Sequence, residues 1–373
     1  MLINMKNLGF GLMRLPLIEG ENKVDIARVC GMVDTFIQNG FTYFDTAAIY
    51  HGGESEIAFR EAVAKRYPRE SYVIADKLSL MAIAEKKDVA PFFEKHFEAL
   101  GVSYIDYYLL HALGKDSYAK AERFGAFEFV KAKKEEGRLK HIGFSFHDSP
   151  EVLEEILSHH PEMEFVQLQV NYLDWEDAGV ASRRCIEVAK KYGKPVIVME
   201  PVKGGALADF TGEGKALITE AFEGASPASV ALRFAASADG VFMVLSGMSN
   251  EAQLADNIAA FGDFKPLTEA EKQTVLRVGE LIRANTAVPC TACRYCVDDC
   301  PKKIAIPEYF SAYNTLYRFG ESARGKAAHR YGKAAKDHGK ASDCISCGKC
   351  EKHCPQHIAI REKLKEVAKE FDA

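Results

Sequence analysis

Eight short apolar runs, rich in β-branched and aromatic residues, recur along the first 250 residues of the chain. They are Leu8–Met13, Thr42–Asp45, Tyr72–Lys77, Ile105–His111, His141–Ser145, Phe165–Val170, Pro195–Glu200 and Val241–Ser246. Longer segments with helical apolar spacing lie between them, among them Val24–Gln38, Val89–Leu100, Phe127–Glu136, Cys185–Lys191 and Pro227–Ala236. Pro150 behind Ser149, and Pro227 behind Ser226, read as first-turn prolines following N-cap serines.

Strands that alternate with helices predict parallel βα units, because a parallel strand needs a crossover to return. Eight such units in about 250 residues predict an α/β fold, the (β/α)8 TIM barrel. An open doubly wound sheet is the rival architecture, but no G-x-G-x-x-G follows the first run. In a barrel the chemistry gathers just beyond the strand C-termini.

The pattern stops near residues 283–289, which predicts a barrel over 1–285 and a second, mainly helical domain over 286–373. Of ten cysteines only Cys30 and Cys185 lie in the first 289 residues. Both fall in helical segments and read as small apolar core residues. The net charge of −5 gives no reason to expect nucleic acid as a partner. No basic start followed by an apolar run marks Met1–Pro16 as a signal peptide, and no apolar stretch is long enough to cross a bilayer. The expectation is a cytoplasmic protein without a membrane partner, where crowded cysteines are metal ligands more often than disulfides.

The crowding has a fixed form. Cys290-x2-Cys293-x2-Cys296-x3-Cys300-Pro301 is followed by Cys344-x2-Cys347-x2-Cys350-x3-Cys354-Pro355. This is the bacterial ferredoxin spacing, in which three thiolates wrap one [4Fe–4S] cluster and the fourth serves the other. The expected ligand sets are Cys290, Cys293, Cys296 and Cys354 for one cluster, and Cys344, Cys347, Cys350 and Cys300 for its neighbour. Zinc also takes C-x2-C pairs, but four ligands per ion leave no use for the third spacing or the prolines. Arg318–Lys340, between the runs, holds seven Lys or Arg. It reads as a solvated helix, or as a docking face for an acidic electron carrier.

At the barrel strand ends stand Asp45, Lys77 and His111, with Tyr50 just past the second strand. A phenol of pKa about 10 is a weak acid at neutral pH, and a neighbouring ammonium lowers that value. Lys77 supplies the ammonium, Asp45 balances it, and His111 donates a hydrogen bond to the same carbonyl oxygen. Together they form a proton-delivery site for a carbonyl accepting hydride.

The sequence here resembles the aldo-keto reductases. The resemblance rests on Phe44-Asp45-Thr46-Ala47 with Tyr50 and Glu56, on Ile74-Ala-Asp-Lys77, and on Asp106-Tyr-Tyr-Leu-Leu-His111. It continues in Gly137-Arg-Leu-Lys-His-Ile-Gly-Phe-Ser145 and Ser246-Gly-Met-Ser-Asn250, and spans roughly residues 5 to 285. It implies a catalytic tetrad of Asp45, Tyr50, Lys77 and His111, with Tyr50 as acid for reduction and base for oxidation. It also implies a nicotinamide cofactor, NADP or NAD, across the barrel mouth. Ser145 and Gln167 would hold its carboxamide, and Ser246, Gly247, Ser249, Asn250, Gln253 and Asn257 its adenosine phosphates. Three positions depart from the family pattern. Phe146 replaces an asparagine, Gly247 and Gln253 replace the Lys and Arg of NADPH-preferring relatives, and Glu200 stands where an aromatic residue often stacks on the ring.

A hydride carries two electrons and a cluster accepts one, so a flavin normally mediates, yet no sequence signature indicates one. The leading expectation is an NAD(P)-dependent reductase or dehydrogenase of a small carbonyl or alcohol, linked by its clusters to a redox protein partner. The alternatives are an electron-transfer protein on a non-catalytic barrel, and a reductase whose clusters are structural or redox-sensing.

Overall fold

The computed structural model describes residues 6–21, 23–177, 180–210, 212–284, 286–288, 290, 296–297, 300–352, 354 and 358–372. The chain divides into two compact units, Met1–Gly204 with Ala228–Thr268, and Gly205–Pro227 with Glu269–Ala373.

In the first unit the strands are β1 (Leu8–Gly11), β2 (Tyr43–Asp45), β3 (Val73–Leu78), β4 (Ile105–Leu113), β5 (Leu139–Phe146), β6 (Phe165–Gln169), β7 (Val196–Met199) and β8 (Val241–Gly247). Each pairs in parallel with the next, and β1 pairs with β8, so the sheet closes into the eight-stranded barrel that the alternation predicts. The helices of this unit are α1 (Ile26–Gln38), α2 (Glu54–Phe59), α3 (Val89–Leu100), α4 (Lys115–Phe124), α5 (Ala126–Glu135), α6 (Pro150–His159) and α7 (Ser182–Lys191). After α8 (Glu213–Ala221), which belongs to the second unit, come α9 (Pro227–Ala236) and α10 (Glu251–Gly262). Ser149 caps α6 by accepting from the Val152 amide, with Pro150 in the first turn as expected, and α9 opens on Pro227.

Strand period two sorts the side chains. Phe10, Phe44, Ile74, Tyr108, Leu110, Phe144, Val166 and Val198 join one large core with helix residues such as Phe36, Phe59 and Phe93. The alternate residues Tyr43, Ala75, Tyr107, Leu109, Phe165, Ile197, Met243 and Leu245 form a separate cluster inside the barrel. Two residues further along their strands, on that inner face, come Asp45, Lys77, His111, Ser145 and Gln167. The interior is therefore apolar below and polar at the strand ends. Cys185 is buried and Cys30 half-buried against the outer core, as expected of apolar fillers. Trp175 packs edge-on to Phe234 with ring centroids 5.1 Å apart.

The second unit adds α11 (Glu269–Ala284), α12 (Ile306–Phe319), α13 (Arg324–Ala335), α14 (Lys349–Lys352) and α15 (Ile360–Phe371). It is helical, in keeping with expectation. Its core joins Tyr309, Phe310 and Tyr313 of α12 to Tyr331, Ile360, Leu364 and Val367, with Cys296 and Cys350 among them. Compared with a cut at residue 285, this unit also takes in Gly205–Pro227 and Glu269–Ala284. There α8 packs on α11, close enough that a Cβ on Gly214 would lie 3.3 Å from Val278. Among the described residues no helix is long and apolar enough to cross a membrane.

Barrel packing depends on a missing side chain at Gly143, opposite Phe165. A Cβ there would sit 2.4 Å from the Phe165 carbonyl oxygen, which is backbone and cannot rotate away. Gly143→Ala should cost about 1–3 kcal/mol through overpacking, read as a lowered urea midpoint against the unsubstituted chain.

Candidate functional site

Asp45, Lys77 and His111 arise from the ends of β2, β3 and β4, and parallel pairing sets those ends side by side. The Lys77 ammonium is fully buried and lies 2.5 Å from Asp45 Oδ1 and 2.6 Å from the Thr46 carbonyl oxygen. Burial works against its charge, but Asp45 and Tyr50 hold its pKa above the ordinary value. Burial likewise lifts the Asp45 carboxyl, opposed by Lys77 and by the Gln167 amide, which donates to Asp45 Oδ2 at 3.1 Å.

Tyr50 follows β2 in a short 3-10 turn, with Lys77 Nζ 5.0 Å from its ring centroid. His111 stands edge-on to it at 6.1 Å between centroids. The expectation that Lys77 lowers the phenol's pKa is only half met. The ammonium does pull it down, but burial outweighs that pull and the net direction is up. The cause is physical: water solvates a phenolate better than this pocket does. His111 is driven down to about 3, by burial first and then by Lys77, so its ring is neutral. Its Nδ1 is 2.6 Å from the Ser79 hydroxyl. With that hydroxyl donating to Nδ1, the ring proton sits on Nε2 and is available to a carbonyl oxygen.

The expected cofactor residues fall into two groups. Ser145 and Gln167 are buried on the inner face of β5 and β6, where the Ser145 hydroxyl accepts from the Ala112 amide at 2.7 Å. At the end of β8, Asn257 donates to Ser246 Oγ at 2.6 Å, Asn250 caps α10 by accepting from the Gln253 amide, and Gln253 accepts from the Ser249 amide at 2.7 Å. A Cβ on Gly247 would lie 3.3 Å from the Arg14 stem, and the Arg14 guanidinium approaches Glu200 at 4.0 Å. His51 serves its loop, accepting from the Leu15 amide at 3.1 Å.

Behind Lys77 lies a charged group that sequence reading did not assemble. Asp76, next to Lys77, points the opposite way, toward α3. His96 Nδ1 sits 2.6 Å from Glu56 Oε1 and 3.0 Å from Asp76 Oδ2, and all three side chains are buried. Burial opposes the imidazolium, yet the two carboxyls raise His96 to about 10. Glu56 is pushed up by burial and then by the Asp76 charge. The available signal was positional: His96 shares the buried face of α3 with Val89, Phe93 and Leu100.

In the second unit Cys300, Cys344, Cys347 and Cys350 line one pocket, together with Ile304, Ile306, Leu364 and Arg361. This is one of the two expected ligand sets, assembled from both runs. Burial raises the Cys350 thiol to about 11, followed by the charges of Glu351 and the three neighbouring cysteines. Soft thiolates gathered in an apolar pocket fit an iron–sulfur cluster, whose iron offsets their repulsion. Of the other set, Cys296 is buried and Cys290 and Cys354 are half-buried in the same core, while Cys293 lies outside the described residues.

Comparison with known proteins agrees with both halves. The family model "Aldo/keto reductase family" matches residues 7–279, and "4Fe-4S dicluster domain" matches 289–359. An aldo-keto reductase of Mycolicibacterium smegmatis is 27% identical over 283 residues, covering 75% of this chain and 90% of its own. YtbE of Bacillus subtilis, an uncharacterized oxidoreductase, is 33% identical over 139 residues, 36% of this chain and 45% of its own. Among solved structures, the thermostable aldo-keto reductase Tm1743 superposes with a TM-score of 0.61 at 22% identity, covering 73% of this chain and 94% of its own. An aldo-keto reductase of Klebsiella pneumoniae in complex with NADPH gives 0.58 at 18% identity, covering 74% and 91%.

The His96 group sets a pH dependence. Its folded pKa is about 10 against an ordinary 6.5, so its contribution is complete below 6.5 and is lost as pH rises through 10. Urea unfolding should show stability falling from pH 7 to 9.5. His96→Leu should flatten that slope and cost about 3–5 kcal/mol at pH 7, because it strands a buried carboxylate.

Proposed function

The chain belongs to the aldo/keto reductase family and carries a 4Fe-4S dicluster domain, and from that premise we propose a two-part oxidoreductase. Its barrel transfers hydride between a nicotinamide cofactor and a small carbonyl or alcohol, and its second unit passes single electrons through two [4Fe–4S] clusters. The observation that carries the first part is the meeting of Tyr50, Lys77, Asp45 and His111 at one barrel mouth.

The bound nicotinamide supplies or accepts the hydride. The chain's own groups handle the proton and the orientation. His111, neutral at physiological pH, donates from Nε2 to the substrate oxygen and fixes its position. Tyr50 gives that oxygen its proton in reduction and takes it back in oxidation. Lys77 stabilises the phenolate left behind, and Asp45, steadied by Gln167, keeps the ammonium in place. Ser145 and the free end of Gln167 are the candidates for the carboxamide. Ser246, Gly247, Ser249, Asn250, Gln253 and Asn257, around the α10 N-terminus, are those for the phosphates. With Gly247 and Gln253 offering no cation, NADH serves as well as NADPH.

Cys300, Cys344, Cys347 and Cys350 would hold one cluster, and Cys290, Cys293, Cys296 and Cys354 the other. Each cluster supplies a one-electron couple and links the enzyme to a redox protein partner.

Tyr50→Phe removes the proton and keeps the ring. Carbonyl reduction should fall by about 10²–10⁴-fold in steady-state assays with NADH and NADPH across simple aldehydes and ketones. Undiminished turnover would exclude Tyr50 as the acid.

A further inference from the structure

The described cysteines of the two runs meet solvent unequally. Among the described cysteines of the two runs, Cys347 alone is exposed, while Cys296 and Cys350 are buried and the others half-buried. Cys347 belongs to the irregular segment Cys344–Gly348, which leads into α14, is exposed at Ile345, Ser346 and Cys347, and carries Ser346 in the left-handed region, at φ 56°. Ile345, within it, is 58% exposed, among the most exposed large apolar side chains described. That side chain also lines the pocket formed by Cys300, Cys344, Cys347 and Cys350. An apolar knob beside a thiolate ligand costs hydration in the free chain and gains from being covered.

The rim around this knob is mostly basic, Asp343 being an exposed acid on the same stretch whose carboxylate accepts from the Lys340 amide at 2.8 Å. Lys302 lines the same pocket and is exposed, as is Lys349, which follows Gly348. Lys352 is exposed one helical turn beyond Lys349, a spacing that shares a face. Arg361 lies over Gly348, with Cζ 3.8 Å from a Cβ built there, and is held by Glu351 at 2.8 Å. A small apolar centre inside a positive rim suits a partner with an apolar spot inside a negative one.

We propose that the segment around Ile345 and Cys347 is the electron port of the protein. The cluster of Cys300, Cys344, Cys347 and Cys350 faces outward and docks an acidic one-electron carrier of the ferredoxin or flavodoxin class. The carrier gives up one electron and the cluster gains it, with no bond made or broken and no proton moved. This rests on the proposed presence of the clusters and adds which of them meets the partner. It also places the docking face around Ile345 and not on the basic helix α13, where no large apolar side chain is exposed among the described residues.

Calorimetric titration of the anaerobically purified full chain with an acidic plant-type ferredoxin, at low and at raised salt, tests the port by binding and not by turnover. Ile345→Ser, and separately Lys302→Glu with Lys349→Glu, should each weaken Kd by tenfold or more. Lys333→Glu on α13 with Lys336→Glu just past its end should leave it unchanged. The clusters' visible absorption monitors the fold of every variant, and if charge reversal beside Cys300 costs the chromophore, Ile345→Ser decides. An affinity untouched by Ile345→Ser, equal loss in the α13 variant, or no binding by the unsubstituted chain overturns the port. Self-association that Ile345→Ser abolishes would assign the segment to a second copy and overturn it equally. Iron and sulfide missing from the purified chain would instead defeat the cluster reading itself.

Discussion

Closure of the sheet between β1 and β8 is the constraint from which the rest of the barrel follows. A parallel sheet leaves its edges wanting hydrogen bonds, and closing it removes both edges at once. Closure also forces the inward-facing residues of all eight strands to share one interior. That interior is narrow enough for Tyr43, Tyr107 and Phe165 to fill much of it, helped by glycine at 9 and 143. Charged side chains of β2 and β3 then gather in the last inward layer, where the substrate would arrive. Asp45, Lys77 and His111 are the top course of a packed column.

Two cations stand on opposite sides of β3, Lys77 on the strand itself and His96 on α3. Lys77 faces the barrel with Asp45 and Thr46, and His96 meets Asp76 on the strand's outer side with Glu56. Each is secured by carboxylates that burial alone would not tolerate, so neither group can be removed without stranding its partner. The result is a mouth whose charges are fixed before substrate enters. That preorganisation suits the proposed reaction, in which a neutral His111 and a protonated Tyr50 act on a carbonyl.

Much of this was legible in the residues. All eight strands were, because β-branched and aromatic runs separated by helical spacing leave few topologies, and α3 was read to its end residues at Val89 and Leu100. The convergence of Asp45, Lys77 and His111 was legible as well, since period two along β2, β3 and β4 sends them inward together. The direction of the Tyr50 shift was not, for burial is a property of the assembled pocket and not of a neighbour in sequence. Gln167 was read as a carboxamide partner, while the fold also sets it on Asp45, 122 positions away. The cysteine spacing forecast which thiols of two runs would share a pocket, and Cys300 does join Cys344, Cys347 and Cys350. It carried no sign of Arg361 or Ile345, whose places depend on how Cys344–Gly348 and α15 pack.

The adjacency of Asp76 and Lys77 has a consequence for how the chain finds its fold. Most barrel strands present one apolar residue after another, and a slide of one position against a neighbour would exchange one greasy side chain for another. On β3 the same slide would push an ammonium toward the His96 imidazolium and swing a carboxylate inward against Asp45. Both pockets would then hold like charges with no water to screen them. The strand carries its own proofreading: a chain that pairs β3 wrongly pays at once on both faces, and only one alignment lets the barrel finish closing.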